Sequence, residues 1–457
     1  QGLMPVYRIN MFRCRDGSNK EVPDPAPQTV ADVRRLFKEG WSIQWLQPQQ
    51  EHDVLAHLVS VLESEFGTLV GVNAYLTPPG TQGLAPHWDD VEVFVLQLGG
   101  QKCWRLHEHT TTSPLPPESQ TLPRYSSGDL EASSLSPVLM EPKLNPGDLL
   151  YFPRGTIHYA PNHNSKKSSV HLTISGFQRQ TLYDLTQKTF EEAMSELWED
   201  DEELRRALPW QSFSPGSPLH PELVSGVAKV LRRLSDAIAK EAKTMANGKR
   251  HEEGCVANAV AELGAEFVRH RMPPQRLGEN GEEICSISIV NPESVVSVVD
   301  PSALAMLPLA GSDDGSVELL HYSGNSRRNH MMTHPKIAES DMCEHDAAAQ
   351  QESGESEIDP EEEEEEDAEE GETMSESGGT GMTVSRPVAQ ALKALCEHGS
   401  RCREPLEKLF LRMEVPEAAW SEVCTTMTQL AALGLVRVSE APAKQSKRSK
   451  RSKKVSR

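Results

Sequence analysis

Apolar residues in the first 180 positions fall in short runs broken by proline, glycine and polar clusters, at residues 70–76, 91–98, 103–106, 148–152 and 169–175. Runs of this length, whose side chains alternate between two faces, predict strands. Asn145-Pro146-Gly147-Asp148 is a turn signal in front of one of them. Many short strands with no regular helices between them predict an antiparallel sandwich or barrel over residues 1–180, not a parallel α/β sheet.

The period changes over residues 181–275. Leu223, Val227, Leu231, Leu234 and Ile238 recur at helical spacing as a single apolar stripe, which either packs on the barrel or pairs with another subunit. Residues 276–337 look mixed, with strand-like stretches at 284–290 and 317–321. From 338 to 384 the sequence is of low complexity, with six consecutive glutamates at 361–366. Such a segment buries too little apolar surface to order itself, and a solvated linker is the simplest reading, with a specific acidic docking site the alternative. Order resumes over 385–440. Val388, Leu392 and Leu395 form one helical stripe, Val423, Met427 and Leu430 another, and residues 433–438 read as a strand. Helix, helix, helix, strand outlines a small winged-helix module. Residues 441–457 form a basic tail suited to nuclear localisation or to a polyanion, or serving only solubility.

Composition narrows the function classes. Net charge is −22, which argues against a broad nucleic-acid-binding surface, and the helices around 404–412 and 417–430 carry mixed charge. Hydrophobic residues make up only 37%, consistent with a disordered portion. The eight cysteines form no C-x-x-C pair, so a zinc ribbon is not expected, and their scatter suits a reducing compartment. No apolar run is long enough for a membrane span. The chain begins at Gln1, which leaves the true start open.

The candidate chemistry lies in Gly83-Leu84-Ala85-Pro86-His87-Trp88-Asp89-Asp90. On a strand, His87 and Asp89 share a face and Asp90 points away. A third ligand, His158, comes from Phe152-Pro153-Arg154-Gly155-Thr156-Ile157-His158. Two imidazoles and one carboxylate make the facial triad of non-haem iron, with positions left for a keto acid and dioxygen. H-x-acid alone is a weak signal. His220-Pro221-Glu222 and His251-Glu252-Glu253 also fit it, in stretches where surface roles are the better guess. Lys102, in line with Trp104 and Leu106, either points inward, where it needs an anionic partner, or is a surface lysine on an edge strand. Asn73 and Tyr75 share one strand face, and His171, Thr173 and Ser175 share another; each set either lines a polar interior or faces solvent.

The segment from Asn73 through His87-Trp88-Asp89, and Pro146-Gly147-Asp148 through His158, resemble the JmjC ribosomal oxygenases. Asn325 to Met332 and Phe267 to Pro274 are similar to that family's MINA type. The resemblance implies an α+β chain: a double-stranded β-helix (JmjC, cupin-like) barrel over 1–180, a helical dimerisation domain over 181–275, and a winged-helix domain over 276–440. It implies Fe(II) at His87, Asp89 and His158. It implies 2-oxoglutarate at Lys102, with Asn73, Tyr75, Thr173 and Ser175 nearby, O2 as oxidant, and no catalytic side chain beyond the ligands. The implied activity is hydroxylation of a histidyl residue in a large-subunit ribosomal protein, by a homodimer in the nucleus and nucleolus. Histone-tail lysine demethylation is the alternative, and a catalytically silent interaction protein of chromatin or ribosome biogenesis a third. Three departures stand out: Trp88 where the family usually has Tyr, Tyr159 where Gln is usual, and a longer acidic insertion. The first two adjoin the metal, which implies a changed substrate preference with the iron chemistry intact.

Overall fold

The computed structural model describes residues 8–15, 20–107, 135–161, 166–177, 180–202, 204, 205, 207, 208, 221–246, 254–273, 289–309, 314–331, 380–398 and 404–439. They divide into two compact units, one of residues 1–274 with 324–379, the other of 275–323 with 380–457.

The first unit is built on an antiparallel six-stranded sheet. Its strands are β1 (Ile9–Phe12), β2 (Ser42–Leu46), β3 (Val70–Thr77), β4 (Glu92–Gly99), β9 (Leu149–Phe152) and β11 (Ser169–Gly176), in the order β1-β2-β3-β11-β4-β9. Short strands face it: β5 (Lys102–Cys103) with β8 (Lys143–Leu144), and β10 (Ile157–Tyr159) with β6 (Arg105–His107) and β7 (Val138–Met140). All five sequence-predicted strand regions are present, within a residue or two of their expected ends; the run at 103–106 is divided between β5 and β6.

Alternation along the strands sorts the side chains. Facing inward, Val93, Val95, Leu150 and Phe152 meet Leu106 and Leu144 of the smaller strands and Trp104 and Ala160 beside them in one buried cluster. Fully burying side chains of this size contributes roughly 1.5–3 kcal/mol each. Facing outward, Val70, Val72, Leu172 and Ile174 pack against Ala56, Val59 and Met272.

Two helices depart from the sequence expectation of no regular helices in this region: α1 (Val30–Lys38) and α2 (Asp53–Phe66). A reciprocal capping box between Thr29 and Asp32 starts α1. Leu55, Leu58, Leu62 and Phe66 give α2 its inward stripe, and Gly67, in the left-handed region (φ 64°), ends it.

Helices α3 (Leu182–Asp200), α4 (Pro221–Ala246) and α5 (Cys255–His270) form a second apolar layer, centred on Ala193, Leu234 and Cys255. The predicted α4 stripe divides. Leu234 is buried and Ile238 packs beside it, while Val227 and Leu231 remain 60% and 49% exposed. These helices fall in the same unit as the barrel, as does the segment beginning at Gly324, which the sequence had joined to residues 276–440. The segment is tied there by its side chains: Asn325 Nδ2 donates to the carbonyls of Val268 and Arg271.

In the second unit, β12 (Val295–Val298) pairs with β16 (Val436–Ser439), and β14 (Val317–His321) lies between β13 (Leu304–Pro308) and β15 (Thr380–Val384). Helices α6 (Arg386–His398), α7 (Leu406–Arg412) and α8 (Trp420–Ala432) bury Val388, Leu392, Leu395, Val423, Met427 and Leu430, the two predicted stripes. The last strand begins at Val436, since Leu433 still caps α8. β15 corrects the expectation that 338–384 is a single linker: Val384 is buried opposite Val317, and Met382 pairs with Leu319. Residues 284–288, the rest of the acidic segment, the basic tail, His220 and the 251–253 triplet lie outside the described residues.

Candidate metal centre

The three predicted ligands converge. One ligand atom from each of His87, Asp89 and His158 lies within 4.8 Å of the others, the single such His, Cys, Asp or Glu group among the described residues. The supporting backbone differs from expectation. Residues 83–91 form no regular strand; His87 is held by an isolated antiparallel bridge to His158, through His87 N–H to His158 O (3.2 Å) and His158 N–H to His87 O (2.8 Å). Gly155 N–H donates to Asp89 O at 2.9 Å, fixing the other end of the motif. Asp90 points away from the triad and pairs with Arg154, which also donates to the Phe177 carbonyl.

Each imidazole is oriented by its other nitrogen. His87 Nδ1 lies 2.7 Å from Ala85 O and His158 Nδ1 2.9 Å from Thr156 O. An Nδ1–H donated to a carbonyl leaves Nε2 as a lone pair for a metal. Burial pushes the His158 imidazole down to about 4; the neighbouring His87 adds to this and Asp89 opposes it. His158 is therefore neutral near pH 7, the form a metal requires. Its 3.6 Å approach to Asp89 is then a convergence of two donors rather than an ion pair.

Lys102 stands on the same side of the core. Gly100 (φ 62°) makes the turn before it, where a Cβ would collide with the Ser168 carbonyl. Lys102 is 6% exposed, and Nζ donates to Thr77 Oγ1 at 3.2 Å. No carboxylate pairs with it among the described residues, and burial pushes its ammonium down to about 7. Beside it, His171 lies well below the usual imidazole range, through burial first and Lys102 second. His171 Nδ1 and Trp104 Nε1 are buried with no hydrogen-bond partner among the described residues. A buried cation flanked by unmatched polar atoms fits a small anion.

Register places the remaining candidates on one inner face. Tyr75 pairs with His171, Asn73 with Thr173, and Gly71 with Ser175. The Tyr75 and His171 rings stack at 4.9 Å, Tyr75 Oη accepts from Gln44 Nε2 (2.8 Å), and Asn73 Oδ1 accepts from Gln47 N–H (3.2 Å). Thr77 and Gln44 escaped the sequence reading. Thr77 was findable, because it continues the period-two face of Asn73 and Tyr75. Tyr159 does not face the metal as its place beside His158 suggested. It turns to the opposite face, stacks on His107 and accepts from Arg105.

A JmjC-domain model matches residues 44–185, which hold the triad and Lys102. The chain is 33% identical to ribosomal oxygenase 2 of Rattus norvegicus over 339 residues, 73% of this chain and 67% of that protein. It belongs to the JmjC ribosomal oxygenases. Ribosomal oxygenase 1 of Gallus gallus is 41% identical over 191 residues, and the bifunctional lysine-specific demethylase and histidyl-hydroxylase NO66 of Drosophila yakuba 31% over 313. Of those two relatives this oxygenase spans 31% and 42%, from 42% and 64% of its own length. A solved structure of YcfD, a ribosomal oxygenase from Escherichia coli in complex with cobalt and 2-oxoglutarate, covers 94% of this chain and 86% of its own. Its TM-score is 0.38 at 14% identity, too remote to inform the site.

Proposed function

We propose that this ribosomal oxygenase is an Fe(II)- and 2-oxoglutarate-dependent dioxygenase that hydroxylates a histidyl residue of a large-subunit ribosomal protein. One observation carries the reading: a triad of two histidines and a carboxylate shares a barrel interior with a buried lysine that no carboxylate pairs with among the described residues. Two nitrogen donors and one carboxylate suit Fe(II) and leave positions open. His87, Asp89 and His158 would hold the iron, which with 2-oxoglutarate bound supplies dioxygen activation coupled to decarboxylation of the keto acid.

The chain's own residues do the rest. Lys102, steadied by Thr77, receives the distal carboxylate, with the Trp104 Nε1–H and the unmatched His171 Nδ1 beside it. Val93, Val95, Trp104 and Phe152 keep the interior apolar and exclude water. Of the expected 2-oxoglutarate neighbours, Tyr75 stacks on His171 beside Lys102, and Asn73, Thr173 and Ser175 continue the same inner face toward the metal end. The names of the ribosomal oxygenase relatives support a ribosomal-protein substrate.

The NO66 name carried by the Drosophila relative supports histone-tail lysine demethylation as a second reading. Peptide mass spectrometry separates them. A ribosomal-protein peptide gaining one oxygen supports hydroxylation, and a methylated histone peptide losing a methyl group supports demethylation. Absence of succinate from both leaves the interaction-protein reading. The exposed Val227 and Leu231 supply an α4 surface for a homodimer. The second unit, with three helices and flanking strands, serves as a winged helix for protein contacts, and the site of action is the nucleus and nucleolus.

A further inference from the structure

One residue from the far end of the first unit reaches the inner face. A Cβ built on Gly71 would lie 3.0 Å from Met331 Sδ and 3.4 Å from Ser175 Oγ. Gly71 shares its strand face with Asn73 and Tyr75, so the thioether rests against the inner side of β3. The level along the barrel follows from register. Gly71 pairs with Ser175, Ser175 with Val93, and Val93 with Phe152, whose ring lies 4.5 Å from that of His158. Lys102 and Thr77 mark the opposite end of β3. Met331 therefore borders the metal end of the interior, where an acceptor side chain approaches, and not the 2-oxoglutarate end.

The turn that delivers Met331 is tightly held. Met331 is a non-glycine residue with φ 58°, a left-handed backbone sustained only where surroundings dictate it. Its N–H donates to His270 O at 3.3 Å. The preceding His330 is fully buried, with Nε2 2.8 Å from Glu63 Oε1 and its carbonyl accepting from Gln50 Nε2 at 2.9 Å. Glu63 also accepts from the N–H of Val70, the residue before Gly71, at 3.2 Å, and from Met272 N–H at 2.7 Å. One buried carboxylate thus fixes both the start of β3 and the Met331 turn.

Resting on the histidyl-hydroxylase reading, we infer that Met331 is a specificity-determining residue whose thioether forms the wall of the acceptor pocket beside Ser175 and packs on the substrate imidazole. A polarizable, unbranched side chain suits the edge or face of an aromatic ring. Gly71 is its complement, leaving the room in which the sulfur sits.

The test uses the full chain with Fe(II) and 2-oxoglutarate on histidine-centred peptides from large-subunit ribosomal proteins. Peptide affinity is measured in parallel by anaerobic fluorescence anisotropy with Mn(II). Met331→Ala is expected to raise peptide KM and Kd about tenfold, the size of a lost sulfur–aromatic contact. The KM for 2-oxoglutarate and the kcat should move less than about twofold, and Met331→Leu should restore most of the affinity. Gly71→Ala, which pushes on the sulfur, should weaken peptide binding alone and add nothing in the Met331→Ala background. Unchanged peptide KM and Kd in Met331→Ala, with wild type active, overturns the inference alone. Failure of wild type to oxidise any histidyl peptide overturns the histidyl reading and this inference with it.

Discussion

His87 and His158 exchange both of their backbone hydrogen bonds, so the two imidazoles are placed by main chain and not by each other's side chains. His158→Ala is therefore expected to keep the fold while losing the metal. Anaerobic calorimetry should show Fe(II) affinity falling at least about a hundredfold, more than the loss of an orienting partner costs. The thermal midpoint of the metal-free protein should hardly change. Retained Fe(II) affinity in the variant would remove His158 from the triad.

Lys102 gives a pH signature. Burial lowers its folded value to about 7 from 10.5, and the unfolded chain keeps its proton up to the higher value. Below pH 7 the folded state carries the full cost of the buried charge. Between 7 and 10.5 the folded state releases its proton first, so stability rises with pH, by on the order of 5 kcal/mol across the window. Lys102→Met should raise the urea midpoint strongly at pH 6, change it little at pH 10, and abolish 2-oxoglutarate binding. In wild type at pH 8 the co-substrate restores the charge, so binding takes up a proton. Calorimetry in two buffers of different ionisation enthalpy measures this, and zero uptake would contradict the assignment.

The buried Glu63–His330 contact predicts a stability effect without a metal effect. His330→Ala removes the imidazole from a fully buried carboxylate and should cost about 3–5 kcal/mol in urea unfolding. Fe(II) affinity should stay within about threefold, since neither residue belongs to the ligand group. A variant as stable as wild type would show that the contact does not hold the turn.

On α4, Leu231→Glu and Val227→Glu place charge on exposed apolar positions. Light scattering should show wild type as a dimer and the double variant as a monomer, with Fe(II) binding unchanged. A monomeric wild type would refute the proposed subunit contact.

The strands were legible because period two is local; the triad was legible from H-x-D taken together with His158 in the segment after Pro153-Arg154-Gly155, although His87 sits on an isolated bridge and not on the expected strand. β11 is the clearest case, where Ser169 to Gly176 alternate, β3 follows in unbroken register, and β4 follows from His171 onward after a shift between Val170 and His171. Helix α2 was less legible because Val54 and Val61 put apolar residues on its exposed side and blur the stripe. The anchoring of Met331 was invisible for a different reason: Glu63 and His330 stand 267 residues apart, and no local pattern ties a glutamate in one helix to a distant turn. Tyr159 illustrates the converse error, since adjacency to a ligand in a strand means the opposite face.

β11 is hemmed along its length by β3 on one edge and β4 on the other. Inserting or deleting one residue there would turn Thr173 and Ser175 outward and Leu172 and Ile174 inward, undoing pocket and core together. Evolution and engineering are thus left with side-chain exchange as the means of retuning this strand, and divergence in its length is forbidden ground.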